Sequence, residues 1–172
     1  MEAFKDKIIP VIFGLKGYSL TKKEMSIIKN NMVFGFILFK RNILNFTQLR
    51  ALIDHLKKLS LNDPIIMIDH EGGRVNRFSN IFSQQTFTAK YFGELFSEDK
   101  KKFLKVAKFF VNLNSGIFNF LGINTVAYPV LDLKYNKTHE VIGDRSFSSD
   151  PCSQAPWASR EPRPRPPWPV PG

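Results

Sequence analysis

The sequence predicts an α/β fold, the first half of a TIM-type (β/α)8 barrel with about four β/α units. Three observations support this prediction. Near-continuous apolar runs rich in β-forming residues, typical of parallel strands buried on both faces, occupy residues 8–13, 34–39, 65–68 and 123–128. Helical patterns separate these runs. No glycine-rich fingerprint follows the first run, which weakens the alternative of a doubly wound, dinucleotide-binding sheet.

The first two helices are predicted from their N-terminal capping signals. Thr21, followed three residues later by Glu24, forms a capping box after the first strand. Asn45 and Gln48 repeat this signal after the second strand. The helix that follows carries its apolar residues on one face, and these are Leu49, Leu52, Ile53 and Leu56.

The second half of the chain is predicted to contain a long loop, a long helix and the fourth strand. The loop follows Asp69, and the helix extends over residues 98–121. Its inward side chains are predicted to be Phe103, Val106, Phe110, Leu113 and Ile117. The order β-α-β-α-β-loop-α-β requires a parallel sheet with right-handed crossovers. Because a complete barrel takes roughly 250 residues, the chain accounts for about four of its eight units.

Amino-acid usage changes abruptly at residue 151. Residues 151–172 hold 8 of the 11 prolines, both tryptophans and Cys152, but no Lys, Ile, Leu or Phe. Because proline removes N–H donors and restricts the preceding residue, this segment is predicted to be a disordered tail after a structured domain at residues 1–150. The shift from AT-rich to GC-rich codon types indicates a different nucleotide origin for the tail. A proline-rich ligand for an aromatic groove is the functional alternative.

Composition and charge exclude several classes of protein. No apolar run approaches the roughly 18 residues of a membrane-spanning helix, and the first residues lack a secretory cleavage pattern. The single cysteine excludes a disulfide framework and fits a reducing compartment, so a cytoplasmic location is expected. The net charge of +10 fits nucleic acid or an anionic substrate. A coding bias toward lysine, with the lysines on solvated helix faces, explains this charge better than binding of an anionic partner does.

Polar residues are concentrated directly after the third predicted strand. Asp69 emerges from the apolar run, Glu71 follows, and residues 72–73 are a glycine pair that allows a tight turn. Arg74 and Arg77 then supply two guanidinium groups. A carboxylate can accept hydrogen bonds from sugar hydroxyls, and arginine can bind a hydroxyl pair or an anion with two donors. The alternative is an Asp–Arg ion pair that only shapes the loop.

Polar residues elsewhere carry weaker signals. Asp132 follows the fourth strand but is equally typical of a turn. Arg145 lies on a glycine-containing loop beyond the same strand and is expected at the same rim as Asp69. The sequence has three histidines, which are His55, His70 and His139. None has a second His or Cys at metal-ligand spacing, so no zinc site is expected.

Four motifs follow one another along the chain: GFILFKRN at 35–42, IDHEGGRVNRF at 68–78, AYPVLD at 127–132 and IGDRSF at 142–147. In these motifs and their order, the chain resembles the family 3 glycoside hydrolases, and most of all their NagZ-type β-N-acetylhexosaminidases. The resemblance covers residues 8–151. The motif Asp-x-Glu-Gly-Gly-Arg-Val-x-Arg-Phe, together with Gly-Asp-Arg-Ser-Phe, carries most of its specificity.

The resemblance implies a (β/α)8 barrel and a hydrolase that removes terminal β-linked N-acetylglucosamine by a retaining mechanism. Its substrates would include muropeptides of peptidoglycan recycling. The resemblance implies no cofactor and no metal, because carboxylate and histidine chemistry suffices for this reaction class. By the same resemblance, Asp69 holds sugar hydroxyls in the N-acetylglucosamine subsite, and Arg77 and Arg145 also bind the sugar. Arg74 and Glu71 match the motif too, and a loop-shaping role is equally compatible with them.

The resemblance also implies catalytic residues that this sequence does not carry. In the NagZ type, the acid/base is a histidine on a Lys-His-Phe-Pro-Gly-His-Gly loop, and the nucleophile is a later aspartate. Neither feature follows residue 151. We therefore expect a truncated chain that is catalytically inactive alone. We also expect poor solubility, because sheet edges and apolar helix faces would stay uncovered.

Other functions stay open at this point. One is another family 3 specificity, such as that of a β-glucosidase, and another is a non-catalytic sugar-binding remnant that uses Asp69, Arg77 and Arg145. A nucleic-acid binder ranks last, because the basic residues form no patch interleaved with aromatic residues. The expected partner is an N-acetylglucosamine-containing saccharide or muropeptide, with no nucleic acid and no membrane.

Overall fold

Four parallel strands form one sheet in which each strand pairs with the next along the chain. A computed structural model describes residues 8–135 and 138–150, and the predicted tail with Cys152 lies outside them. The strands are β1 (Ile9–Gly14), β2 (Val33–Leu38), β3 (Ile65–Ile68) and β4 (Thr125–Val126). A doubly wound sheet reverses its strand order at a switch point, and these four strands show no reversal. The fold is therefore α/β with a parallel sheet, and closure into a barrel stays a prediction.

Four helices accompany the sheet, and they are α1 (Lys22–Asn30), α2 (Phe46–Leu59), α3 (Ala89–Glu98) and α4 (Lys100–Leu121). Both predicted N-terminal caps are confirmed. Thr21 and Glu24 form the reciprocal capping box of α1. The Asn45 side chain accepts the Gln48 backbone N–H at 2.8 Å at the start of α2. Across the described residues, none of the helices is both long and apolar enough to cross a membrane.

The main core lies between one face of the sheet and the helices. Its fully buried strand residues are Phe36, Leu38, Ile66 and Ile68. The predicted apolar face of α2 packs against them, and all four of its predicted inward residues are buried. This packing fixes the strands whose carboxyl ends carry the polar residues.

The prediction that the strands are buried on both faces is wrong for β1. Ile9 is 41% exposed and Val11 is 46% exposed, because β1 is an edge strand that pairs only with β2 among the described strands. On β2 and β3 the face opposite the helices is half-buried, as Ile37 and Met67 show. This open face leads directly to the carboxyl ends of the strands.

Three predictions for the region from the end of β3 to β4 are wrong. The predicted long loop contains α3, and α4 begins at residue 100, after Asp99 caps its first turn. Leu113, predicted to face inward, is 41% exposed, and Asn114 is buried instead. Phe103, Phe110 and Asn114 lie on one side of the helix, from which Leu113 is rotated by roughly 80° at 100° per residue. The fourth strand is also shorter than predicted.

A second, smaller core joins α3 and α4 to the segment after β4. Its buried members are Phe92, Leu95, Phe103, Phe110 and Phe147. The ring of Phe147 lies 5.9 Å from that of Phe96 on α3 and 6.0 Å from that of Phe103 on α4, measured between centroids. This cluster holds the 142–147 motif against the helices and thereby places Arg145.

Candidate functional site

A tight turn directly after β3 forms the centre of the candidate site. The Val75 N–H donates a hydrogen bond to the Gly72 carbonyl at 3.0 Å. Gly72 has a φ of 80° and Gly73 a φ of 54°, which is the left-handed region that favours glycine. The turn reverses the chain, so Arg77 returns to lie beside Asp69.

Asp69 and Arg77 form an ion pair inside this single loop. Arg77 Nη2 donates to Asp69 Oδ2, and Arg77 Nε donates to the Asp69 backbone carbonyl at 2.6 Å. Their side chains are 25% and 24% exposed, respectively. Among the described residues, no hydrogen bond uses Asp69 Oδ1 or Arg77 Nη1. The pair therefore leaves one acceptor and one donor group, within reach of solvent, that can form further hydrogen bonds.

The pair lies at the carboxyl end of β3 and beside that of β2. Asp69 follows Met67 by two positions and so continues the half-buried face of the sheet. The guanidinium carbon of Arg77 lies 5.5 Å from the ring centroid of Phe39, the residue after β2. This is the edge where parallel α/β folds bind ligands.

His70 points the other way, into the core. Its Nδ1 accepts the Arg77 backbone N–H at 3.2 Å, and its Nε2 lies 2.7 Å from Gln84 Oε1. The Gln84 amide donates to Asn114 Oδ1 at 3.1 Å, and Asn114 donates to the Phe110 carbonyl at 2.9 Å. Burial lowers the pKa of His70 below its ordinary value of 6.5.

Two further ion pairs connect the turn to the 139–147 loop after β4. Arg145 donates to both carboxylate oxygens of Glu71, each at 2.8 Å. In the second pair the turn supplies the guanidinium and the loop supplies the carboxylate. Arg74 Nε lies 2.9 Å from Asp144 Oδ1. Arg74 Nη2 also lies within 3.0 Å of three backbone carbonyls, those of residues 140–142. Each loop thus gives one carboxylate and one guanidinium to the other.

The charges of this junction affect its titratable groups. The hydrogen bonds that Arg145 donates to Glu71 raise the pKa of Arg145, burial opposes this, and the negative charges of Glu71, Asp69 and Asp132 add to the increase. Burial raises the pKa of Tyr128, and the nearby charge of Glu71 acts in the same direction. Arg145 therefore stays charged and Tyr128 stays protonated throughout the neutral range.

The structure brings together some of the predicted site residues and separates others. Asp69 and Arg77 are in direct contact, whereas Arg145 contacts Glu71 and reaches Asp69 only through its electric field. Arg74 and Glu71 make the contacts expected of loop-shaping residues. These contacts do not test sugar binding, so the roles of Asp69, Arg77 and Arg145 stay predictions.

The other predicted polar residues make no contact with the Asp69–Arg77 pair that the structure records. Asp132 is exposed, and its negative charge acts on Arg145. His55 is exposed on α2, and the exposed His139 accepts the Val141 N–H in its own loop at 3.1 Å. Within residues 8–135 and 138–150, no group of three His, Cys, Asp or Glu side chains could hold a metal ion.

Sequence reasoning missed Gln84 and Asn114, the buried partners of His70. Asn114 did carry a signal, because it is a polar residue at the helical spacing of the buried stripe of α4. Gln84 carried none, since it lies in an irregular segment whose contact with His70 depends on the tertiary fold.

Comparison with known proteins assigns the family. The model described as "Glycosyl hydrolase family 3 N terminal domain" matches residues 8–160. The chain belongs to glycosyl hydrolase family 3. The family match extends past the predicted domain boundary at residue 150, so that boundary stays a prediction.

Relatives of this family 3 chain include a curated protein named beta-hexosaminidase from Chromobacterium violaceum. It is 36% identical over 142 residues, which are 83% of this chain and 39% of the relative. The native NagZ crystal structure from Neisseria gonorrhoeae is similar with a TM-score of 0.75 and 32% identity, covering 85% of this chain and 42% of that one. The same enzyme in complex with N-trifluoroacetyl-D-glucosamine is similar with a TM-score of 0.68, 31% identity and the same coverage. The chain thus spans about two fifths of the length of these relatives.

Proposed function

We propose that this family 3 chain contributes the sugar-binding part of a β-N-acetylhexosaminidase that removes terminal β-linked N-acetylglucosamine. The observation that carries the proposal is the part-exposed Asp69–Arg77 pair at the carboxyl end of β3. Arg145, held by Glu71 within range of the Asp69 charge, is proposed as a third sugar-binding residue. It would use Nη1, whose bond to the Val141 carbonyl is long at 3.5 Å.

The chemistry of the pair suits a sugar. Asp69 Oδ1 can accept a hydrogen bond from one hydroxyl while Arg77 Nη1 donates to the oxygen of a neighbouring hydroxyl. Hydrogen bonds with one charged partner are roughly twice as strong as neutral ones. The ion pair also fixes both side chains before the sugar arrives, so less conformational entropy is lost on binding.

The proposed reaction is a retaining hydrolysis. An aspartate nucleophile would form a glycosyl-enzyme, and a histidine acid/base would assist the aglycone and then water. By the resemblance to NagZ-type enzymes, neither the nucleophile nor the acid/base lies within residues 8–150. These residues would therefore bind and orient the sugar and supply no reacting atom. We therefore propose that the 172-residue chain alone binds the sugar without hydrolysing it.

The relatives support N-acetylglucosamine over glucose as the sugar. Curated relatives are named beta-hexosaminidase, and a similar NagZ structure contains N-trifluoroacetyl-D-glucosamine. A role in peptidoglycan recycling on muropeptides, in the cytoplasm, completes the proposal. The β-glucosidase alternative has no such support.

Binding of N-trifluoroacetyl-D-glucosamine to the full chain, followed by ¹⁹F NMR, tests the proposal. We expect millimolar or tighter binding that Asp69→Asn weakens about tenfold, because a charge-assisted hydrogen bond is lost. Asp54→Asn is the matched control, since Asp54 also pairs with an arginine but lies on the outer face of α2. The absence of binding, or equal binding by all three proteins, would overturn the proposal.

A further inference from the structure

His70 begins a buried chain of polar side chains beneath the Asp69–Arg77 pair. His70 is 3% exposed, Gln84 2% and Asn114 5%. Buried polar groups cost free energy unless they are hydrogen-bonded, and these three form a continuous series of bonds. The series ends at the Phe110 carbonyl in α4 and is therefore anchored in regular structure.

The direction of these bonds sets the protonation of the imidazole. The Arg77 backbone N–H can only donate, so His70 Nδ1 accepts and carries no proton. The neutral ring then has its proton on Nε2, which donates to Gln84 Oε1. Gln84 in turn uses its amide N–H to reach Asn114. Each member has one orientation that satisfies its neighbours.

At its other end, this series of hydrogen bonds begins at Arg77, whose side chain contacts Asp69. The backbone of Arg77 is held by His70, and its guanidinium is held by the Asp69 carbonyl and carboxylate. Phe78, the next residue, packs its ring 5.2 Å from the imidazole between centroids. The imidazole therefore fixes the position from which the Arg77 side chain departs.

We propose that His70 is a positioning residue for sugar binding, whose neutral ring holds the backbone of Arg77 so that the guanidinium meets Asp69 in the geometry that the sugar requires. The proposal rests on the proposed function. In this proposal, the residue after Asp69 in the loop motif acts on the site through Arg77 and does not contact the ligand.

The surroundings of His70 make this role sensitive to acid. The charged groups near the ring are Arg77, Asp69 and Glu71, all of its own loop. From α4 it is faced by the uncharged Asn114 and Phe118, and the protonated Tyr128 lines the same cavity. A proton on Nδ1 would set two N–H donors against each other at the Arg77 contact. Since burial lowers the pKa of His70, sugar binding should persist at neutral pH and fall only below the ordinary histidine value of 6.5.

Two conservative variants separate positioning from simple packing. In His70→Asn the amide oxygen lies near the place of Nδ1 and can still accept the Arg77 N–H, but the contact with Gln84 is lost. In His70→Gln the longer side chain can still donate to Gln84, but the acceptor for Arg77 is lost. Gln also fills the buried space better than Asn, so it should preserve thermal stability better.

Binding of N-trifluoroacetyl-D-glucosamine to the full chain by ¹⁹F NMR, together with thermal unfolding by circular dichroism, tests the proposal. At about pH 7.5, His70→Asn should bind within about threefold of the unsubstituted chain and His70→Gln about five- to tenfold more weakly. At about pH 5, the unsubstituted chain should lose more affinity than His70→Asn, which has no imidazole to protonate. His55→Gln, on the exposed face of α2, is the matched control and should change nothing.

The contrary results are equally clear. If the better-packed His70→Gln binds as well as or better than His70→Asn, or if both pH profiles coincide, His70 only fills space and the proposal is overturned. If the unsubstituted chain does not bind the probe at all, the proposed function itself fails, and this inference fails with it.

Discussion

Two ion pairs beside β3 have the same chemistry but different surroundings. Asp69 and Arg77 belong to one loop, each is about one quarter exposed, and Oδ1 and Nη1 keep no partner among the described residues. Glu71 and Arg145 belong to different loops, the Glu71 side chain is only 8% exposed, and both carboxylate oxygens are bonded. In our proposal the first pair binds the sugar directly, whereas the second pair holds two loops together and thereby positions Arg145. The two acidic residues, Asp69 and Glu71, are only two positions apart in the sequence.

The largest effect should follow from breaking the buried pair. Arg145→Ala would leave the Glu71 carboxylate buried without its partner, and we expect the free energy of unfolding to fall by about 2–3 kcal/mol. Arg77→Ala should cost less than about 1 kcal/mol, because Asp69 is still reached by water. Urea unfolding followed by circular dichroism measures both.

Lys90→Ala is the control for this pair of variants. Lys90 and Glu94 form an exposed pair on α3, with side chains 57% and 58% exposed, so its loss should cost below about 0.5 kcal/mol. Equal destabilisation by Arg77→Ala and Arg145→Ala would contradict the distinction between the two pairs.

The turn that serves both pairs should be the next most sensitive feature. Gly72→Ala places a Cβ at a φ of 80° and against the Phe87 carbonyl, so we expect a loss of about 2 kcal/mol in the free energy of unfolding. Gly17→Ala is the matched control, because nothing lies within 4 Å of the Cβ that it would add. Chemical denaturation of both variants checks the difference, and a tolerated Gly72→Ala would show that the turn is not needed.

A smaller effect than that of Gly72→Ala should come from the second bridge between the loops. Arg74 and Asp144 are 45% and 38% exposed, so Arg74→Gln should cost about 0.5–1 kcal/mol, mainly through its bonds to backbone carbonyls. Part of this loss in the free energy of unfolding should disappear in about 1 M salt, which screens the exposed charges. A cost as large as that of Arg145→Ala would mean that burial does not decide between these pairs.

The sequence predicted the local features of the fold well. The β1–β3 runs, both capping signals and the buried face of α2 depend on neighbouring residues, and the structure has them within one or two positions. Helix α3 was missed, although Thr88 and the spacing of Tyr91, Phe92 and Leu95 are helical, because Gly93 interrupts the pattern.

The contacts of the site could be predicted only in part. The return of Arg77 to Asp69 follows from the glycine pair in a short turn, so the motif itself suggested an Asp–Arg contact. The Glu71–Arg145 pair joins residues that are 74 positions apart, and the contact of Gln84 with His70 depends on an irregular segment. Such contacts are decided by how the loops pack, which no local spacing encodes.

Asp69→Asn and Glu71→Gln, compared in one experiment, test the central distinction most directly. For each variant we would measure ¹⁹F NMR binding of N-trifluoroacetyl-D-glucosamine and the midpoint of thermal unfolding. We predict that Asp69→Asn loses about tenfold in affinity with little change in the midpoint, whereas Glu71→Gln lowers the midpoint and keeps more of the affinity in its folded fraction. A loss of affinity confined to Glu71→Gln, with Asp69→Asn binding like the unsubstituted chain, would contradict it.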